Sequence, residues 1–270
     1  IALAGADLGA TLNGEPLPLW QAVAVKTGDE IAFSGVRSGC RAYLAVAGGI
    51  DVPLVMGSRS TYLRGKIGGL EGRALKAWDQ LAAGEPAAAA RARVGRRVPA
   101  ELIPTYDANI TLRVVLGPQD DLFTPAGRET FLTSEYAVTN EADRMGYRLE
   151  GPKIEHAGGA DIISDGIPLG AVQVPGHGQP IVMLADRQTT GGYTKIATVI
   201  SADLFRIGQA KPGDKVRFAA VSRQEAIALL REQEEKLQRL AEVLSRPAGP
   251  VRHFRIRVQD QVFEATVEEL

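Results

Sequence analysis

The run Asp186-Arg187-Gln188-Thr189-Thr190-Gly191-Gly192-Tyr193 follows an apolar stretch, Ile181 to Ala185, that reads as a buried strand. A strand that opens into charge, amide, hydroxyls and paired glycines delivers polar groups to one place. Arg187 offers a planar fork that matches a carboxylate. Gln188 donates and accepts at once. Gly191 and Gly192 let backbone N–H groups approach a ligand closely. A Gly-rich turn between core strands, with Arg187 in a surface ion pair, accounts for the same residues. Around Gly146 stand Asn140, Asp143, Arg144 and Arg148. They suit a ligand cluster, or a helix N-cap with an ion pair. Gln179 suits an amide or ureido group, or caps backbone groups at a strand end. Tyr147 and Tyr193 suit a flat bicyclic ligand, or the core.

Other reactive residue types offer less. Of the three histidines, only His177 lies in a motif; His156 and His253 read as surface residues. No grouping has metal-ligand spacing, so no metal site is expected. Cys40 is alone, which excludes an internal disulfide and suggests a buried small residue in a reducing cytoplasm. The Gly-rich basic loop Met56 to Gly69 reads as solvated, with anion binding as the alternative.

The elements that must position these residues are short strands. The 270 residues carry a net charge of −1 and no long apolar run, so neither a nucleic-acid partner nor a membrane is expected. Asn13-Gly14 marks a hairpin. Ala22–Val25, Ile31–Phe33, Arg41–Ala47, Ile110–Leu116, Tyr136–Thr139, Asp161–Ser164 and Leu169–Val174 read as strands, a spacing that suits a sandwich or barrel. A pattern repeats: Lys26-Thr-Gly-Asp-Glu-Ile-Ala-Phe and Lys211-Pro-Gly-Asp-Lys-Val-Arg-Phe, with a poorer copy at Leu75–Leu81. It implies two related β units or one turn idiom met by chance. Residues 82–100 read as a surface excursion. Thr124-Pro125 starts a helix to about Leu132, and Ser222 with Glu225 forms a capping box for an amphipathic helix whose apolar face must pack on something.

The domain reading is therefore a first β unit over 1–105, a second over 106–222 that carries the main motifs, the helix 223–246, and a linker with a hairpin over 247–270. Both ends look cut from something longer.

Arg144-Met-Gly-Tyr-Arg-Leu-Glu-Gly151, Pro175-Gly-His-Gly-Gln-Pro180 and Asp186 to Tyr193 together resemble the biotin-dependent carboxyltransferase family. That family includes allophanate hydrolase subunit 2-like proteins, KipI antagonists, the third subunit of 5-oxoprolinase and the carboxyltransferase domain of urea carboxylase. The likeness runs from about Ile1 to Arg223, with roughly fifty family residues missing before Ile1. His177 stands where Asp or Asn is usual, Thr194 where Pro is usual, and Trp78 where the turn has Gly.

The resemblance implies a mainly β fold of two cyclophilin-like β-barrel units, with a few short helices and one C-terminal helix. It implies transfer of a carboxyl group from carboxybiotin to a urea- or amide-type nitrogen, with biotin carried on another domain or chain. The residues after Arg252 resemble the start of a biotin carrier domain. Alternatives are a subunit of an ATP-dependent 5-oxoprolinase or allophanate-type amide hydrolase, and a regulator that binds a KipI-like protein. The chain has neither an Ala-Met-Lys-Met element nor a phosphate loop. The biotinyl lysine and any ATP site are thus expected elsewhere, and the partners are a carrier domain, a KipI-like or allophanate hydrolase subunit 1-like protein, and a small amide or urea. Arg187, Gln188 and Asp143 are the expected catalytic residues. Asn140, Arg144, Arg148, Gln179, Gly191, Gly192 and Tyr193 are the expected substrate contacts. The segments around Gly146, Gly178 and Gly191 are expected to converge on one concave pocket.

Overall fold

The computed structural model describes residues 1–245 and the strand residues 252–258 and 261–267. The first short apolar segments form β1 (Ala2–Asp7), β2 (Ala10–Leu12), β3 (Glu15–Pro16), β4 (Ile31–Phe33) and β5 (Ser38–Ala45). They make two small sheets, β1-β5 and β3-β2-β4, over a core of Leu3, Ala10 and Leu17. Asn13 and Gly14 both take positive φ, 54° and 87°, as an Asn-Gly hairpin turn requires. The strand expected over Ala22–Val25 does not form. Instead the 82–100 excursion returns to this edge by single bonds, Ala22 N to Arg96 O at 2.7 Å and Val98 N to Trp20 O at 2.8 Å. Isolated bridges without a ladder leave no register for a strand.

The second unit contains β6 (Asn109–Leu116), α1 (Pro125–Thr133), β7 (Tyr136–Val138), β8 (Gly146–Glu150), β9 (Asp161–Gly166), β10 (Ala171–Gln173), β11 (Ile181–Met183), β12 (Thr190–Tyr193), β13 (Lys195–Val199), α2 (Leu204–Gly208) and β14 (Lys215–Ala220). Seven of these strands close into a barrel in the order β10-β11-β8-β7-β14-β6-β13, while β9 and β12 pair as a separate ribbon. Inward residues such as Leu112, Val114, Val172, Ile196 and Val216 fill the barrel with no solvent exposure. Thr124 caps α1 as expected, its Oγ1 accepting from Gly127 N at 2.9 Å. The helix stacks Phe131 on Phe218 with ring centroids 4.3 Å apart.

The repeated turn is one structure met three times. Asp29, Asp214 and Asp79 each accept, through a carboxylate oxygen, the N–H of the lysine three residues before, at 2.8, 3.0 and 2.7 Å. The residue before each aspartate takes positive φ: 88° at Gly28, 92° at Gly213 and 73° at Trp78. β4 and β14 follow the first two copies, and no strand follows the third. The two units are joined at Gln209, whose Oε1 accepts from Cys40 N at 3.0 Å and Arg41 N at 2.8 Å. Arg41 NH1 also crosses the seam, donating to Tyr147 Oη at 2.5 Å, and that hydroxyl donates in turn to Ala210 O at 3.0 Å within the second unit.

Helix α3 (Arg223–Ser245) begins with the expected capping box, Ser222 N to Glu225 Oε2 at 2.7 Å and Glu225 N to Ser222 Oγ at 3.2 Å. One face packs in part, with Ala226, Leu230, Leu240 and Leu244 half-buried, and none of its residues is fully buried. Arg239 pairs at 4.0 Å with Glu101. Strands β15 (Arg252–Val258) and β16 (Gln261–Val267) form the expected antiparallel hairpin. Residues 246–251, which hold the start of the linker expected from 247, lie outside the described residues. No helix among the described residues is long and apolar enough to cross a membrane.

Candidate functional site

A cleft of about 840 Å³ opens between the two units. On the barrel side, the ends of β8 and β11 are zipped together by Leu184 N to Met145 O at 2.9 Å and Asp186 N to Arg144 O at 2.8 Å. Gly146 permits this approach, since a Cβ there would lie 3.1 Å from Ile181 Cγ2 and 3.3 Å from Val182 O. Asp143 Oδ1 accepts from Met145 N at 2.8 Å and Gly146 N at 3.1 Å, an Asx turn that fixes its carboxylate. Arg144 forks onto Asp186 at 3.0 and 3.2 Å. These hydrogen bonds also raise the Arg144 pKa. Asp143, Arg144 and Asp186 all line the cleft.

The opposite wall comes from residues 48–81. It includes the Gly-rich basic loop, which is exposed as expected and from which Arg59, Ser60, Thr61, Leu63, Arg64 and Gly69 line the cleft. Arg64 spans it, with NH2 at 3.4 Å from Asp143 Oδ2. Leu63, Leu70, Leu75 and Leu81 supply apolar surface beside the charges. Behind them Arg73 forks onto Asp79 at 2.7 and 2.9 Å and reaches Glu71 at 2.8 Å. The Arg73 guanidinium holds the Asp79 carboxyl down at about 2.

The other expected residues are not brought to this cleft. Arg187 lies next to Asp186 but turns away, donating from Nε to Ile167 O at 2.8 Å and from NH1 to Leu184 O at 3.3 Å. Gln179 caps a strand end, bonding Gly151 N at 2.8 Å and Gly151 O at 2.9 Å. Arg148 pairs with Glu141 at 3.2 Å. Gly191 and Gly192 lie in the ribbon, where a Cβ on Gly191 would meet Ile167 Cδ1 at 2.7 Å. Tyr193 ends that strand and is 43% exposed. Asn140 and Gln188 are exposed, and Tyr147 is buried in the barrel core. Gly178 packs beside Ile154 and lines no part of the cleft. Of the three segments expected to converge, the one around Gly146 lines the cleft, the one around Gly191 reaches it only through Asp186, and the one around Gly178 does not.

A second polar cluster, beneath the ribbon, escaped sequence reading. Val172 and Val174 belong to the barrel core, so Gln173 between them points outward, toward its register partner Lys195. Lys195 is fully buried and its Nζ sits 3.0 Å from Asp165 Oδ2. That ammonium lowers the Asp165 pKa, with smaller help from the Gly166 N–H. Gln173 Nε2 is buried without a partner. The only sequence signal was a lysine heading an apolar strand. His156 also departs from its surface reading: its Nε2 lies 3.0 Å from Val174 O and 3.1 Å from Thr194 Oγ1, and its ring packs on Phe123. Among the described residues, no group of three or more His, Cys, Asp or Glu could hold a metal ion.

The barrel wall thus presents a fixed carboxylate and guanidinium to a basic, partly apolar loop wall. The family model for the carboxyltransferase domain, subdomains A and B, matches residues 1–220, and the chain belongs to that family. It is 37% identical over 240 residues to the third subunit of 5-oxoprolinase from Escherichia coli, covering 89% of this chain and 75% of that one. It is 35% identical over 258 residues to urea amidolyase of Lachancea kluyveri, of which it spans 14%. The crystal structure of Kluyveromyces lactis urea carboxylase superposes with a TM-score of 0.81 at 28% identity, over 99% of this chain and 26% of that one.

Proposed function

We propose that the cleft is a carboxyltransferase site, moving a carboxyl group from carboxybiotin to a urea- or amide-type nitrogen. The observation that carries this reading is the meeting of Asp143, Arg144 and Asp186 with the loop wall of Arg59, Arg64 and four leucines. The volume lies in the range of small-molecule sites, and the mixture of leucine surface and guanidinium donors fits a bicyclic ureido ring bearing a carboxylate. The chemistry supplied by carboxybiotin when bound is a carboxyl group on nitrogen, exchanged for the proton of the acceptor nitrogen. A carrier domain on another part of the protein, or on a partner, delivers it; the hairpin that begins at Arg252 suits the start of such a domain.

The chain's own residues bind and orient. Asp143, with Oδ1 tied to two backbone N–H groups, keeps Oδ2 on the cleft side to accept an N–H of the acceptor. Arg144, held by Asp186, presents its charge toward the acceptor carbonyl oxygen. The leucines lay apolar surface beside the reacting carboxyl group. Arg187 and Gln188 belong to the supporting segment, where Arg187 fixes the turn after Asp186 through two carbonyls.

A second reading is a subunit of an ATP-dependent amide hydrolase, favoured by the extent of the match to the third 5-oxoprolinase subunit. ATP would then act at another subunit, and a KipI-like protein would be the partner. The assay supplies free carboxybiotin and urea or an amide. Carboxyl label on the acceptor nitrogen supports the transferase. Amide hydrolysis that needs a second subunit and ignores avidin supports the hydrolase.

A further inference from the structure

Four arginines line the cleft, and two of them are committed. Arg73 is saturated by Asp79 and Glu71, and Arg144 forks onto Asp186. The other two have donors to spare. Arg59 gives its Nε to Val52 O at 2.9 Å, and its NH2 stands 3.9 Å from Asp51, beyond hydrogen-bonding reach. Arg64 touches Asp143 only at 3.4 Å and Met145 Sδ at 4.0 Å. Their side chains are 53% and 52% exposed, at the cleft.

The loop that carries them is held in shape. Val55 and Ser58 exchange backbone bonds at 2.9 and 3.0 Å, and Tyr62 and Ile67 at 2.9 and 3.3 Å. Gly68 and Gly69 take φ of 72° and 55°, and a Cβ on either would lie within 2.1 Å of Ser60 O or 1.9 Å of Thr61 Oγ1. The two guanidinium groups are therefore presented from a loop closed on itself, without a carboxylate that matches either fork.

We propose that Arg59 and Arg64 form a carboxylate-binding subsite of the cleft. The inference rests on the transferase reading for its role. A planar anion with two oxygens accepts paired N–H donors from a guanidinium fork, and a second arginine adds charge. That carboxylate belongs either to the acceptor itself or to the group in transit; both present the same chemistry.

The test has two arms on the full chain. In the binding arm, calorimetry with malonate needs no turnover. Wild type binds malonate, Arg59→Gln and Arg64→Gln each weaken binding at least about tenfold, and Arg64→Lys falls between, because it keeps charge without the fork. In the transfer arm, free carboxybiotin is offered with a ureido acid or a neutral alkylurea. A loss in the variants confined to the ureido acid assigns the subsite to the acceptor. An equal loss with both acceptors assigns it to the transferred group. If wild type transfers nothing, the transferase reading fails and the binding arm alone decides the subsite. No malonate binding by wild type, or unchanged binding in both Gln variants, overturns the proposal.

Discussion

The two walls of the cleft are built in opposite ways. The barrel wall hangs Asp143, Arg144 and Asp186 beside strand ends, over a core whose Leu112, Val114 and Phe131 have no exposure at all. The facing wall, residues 48–81, contains neither strand nor helix. It is held by two-residue bridges, positive-φ glycines and the Arg73–Asp79–Glu71 pairs. Leucines such as Leu63 and Leu75 stay half open on it. The contrast sets a wall fixed by a packed core against one fixed by local backbone bonds and ion pairs, with little burial behind it.

Substitutions test that contrast. Phe131→Ala removes the ring stacked on Phe218 and is expected to lower global stability by about 3–5 kcal/mol in urea unfolding. Leu75→Ala, at a site 60% exposed, should change it by less than about 0.5 kcal/mol. Equal losses would abolish the distinction. Trp78→Gly acts in the other direction. Trp78 is 96% exposed and held at φ 73° in a turn that uses Gly28 and Gly213 in its sister copies. Relieving the left-handed conformation should raise the unfolding midpoint, by about 1 kcal/mol in stability.

The Arg73–Asp79 pair gives a smaller, pH-dependent effect, because it is near the surface and screened. Its carboxyl is held below the ordinary 3.8, at about 2. The stabilisation is therefore complete above pH 3.8 and is lost as pH falls through about 2. Asp79→Asn should remove that acid dependence from hydrogen exchange of residues 73–79. The smallest change is expected at Gln173→Leu. Since Gln173 Nε2 is buried without a partner, replacing the amide should be neutral within about 0.5 kcal/mol, or stabilising. A loss above that would reveal a missing acceptor in the cluster beneath the ribbon.

Local chemistry explains what the sequence disclosed. Caps, Asn-Gly, Gly-Asp turns and alternating strands act over a few residues, so α1, the start of α3 and the barrel strands were legible. Asp143 and Arg144 stood out because charge clusters around a glycine at a strand start, and both line the cleft. Arg187 was ambiguous, since a fork suited to a carboxylate also suits two carbonyls, and only tertiary structure shows Ile167 O beside it. The loop over Met56–Gly69 was visible as basic and Gly-rich, with anion binding as its second reading, but its place opposite Asp143 was not. Arg59 and Arg64 carry no periodicity, and their cleft is made by a contact with residues some 80 positions away. Lys195 was hidden because its partner, Asp165, sits on a different sheet.

The most direct measurement is the kcat/KM of carboxyl transfer from free carboxybiotin to urea, in wild type and in Asp143→Asn. The variant keeps an oxygen to accept from Met145 N and Gly146 N, so the loop remains folded. A fall of about a hundredfold is predicted, in line with loss of an acid–base group. Transfer at the wild-type rate would contradict the assignment of the chemistry to this cleft.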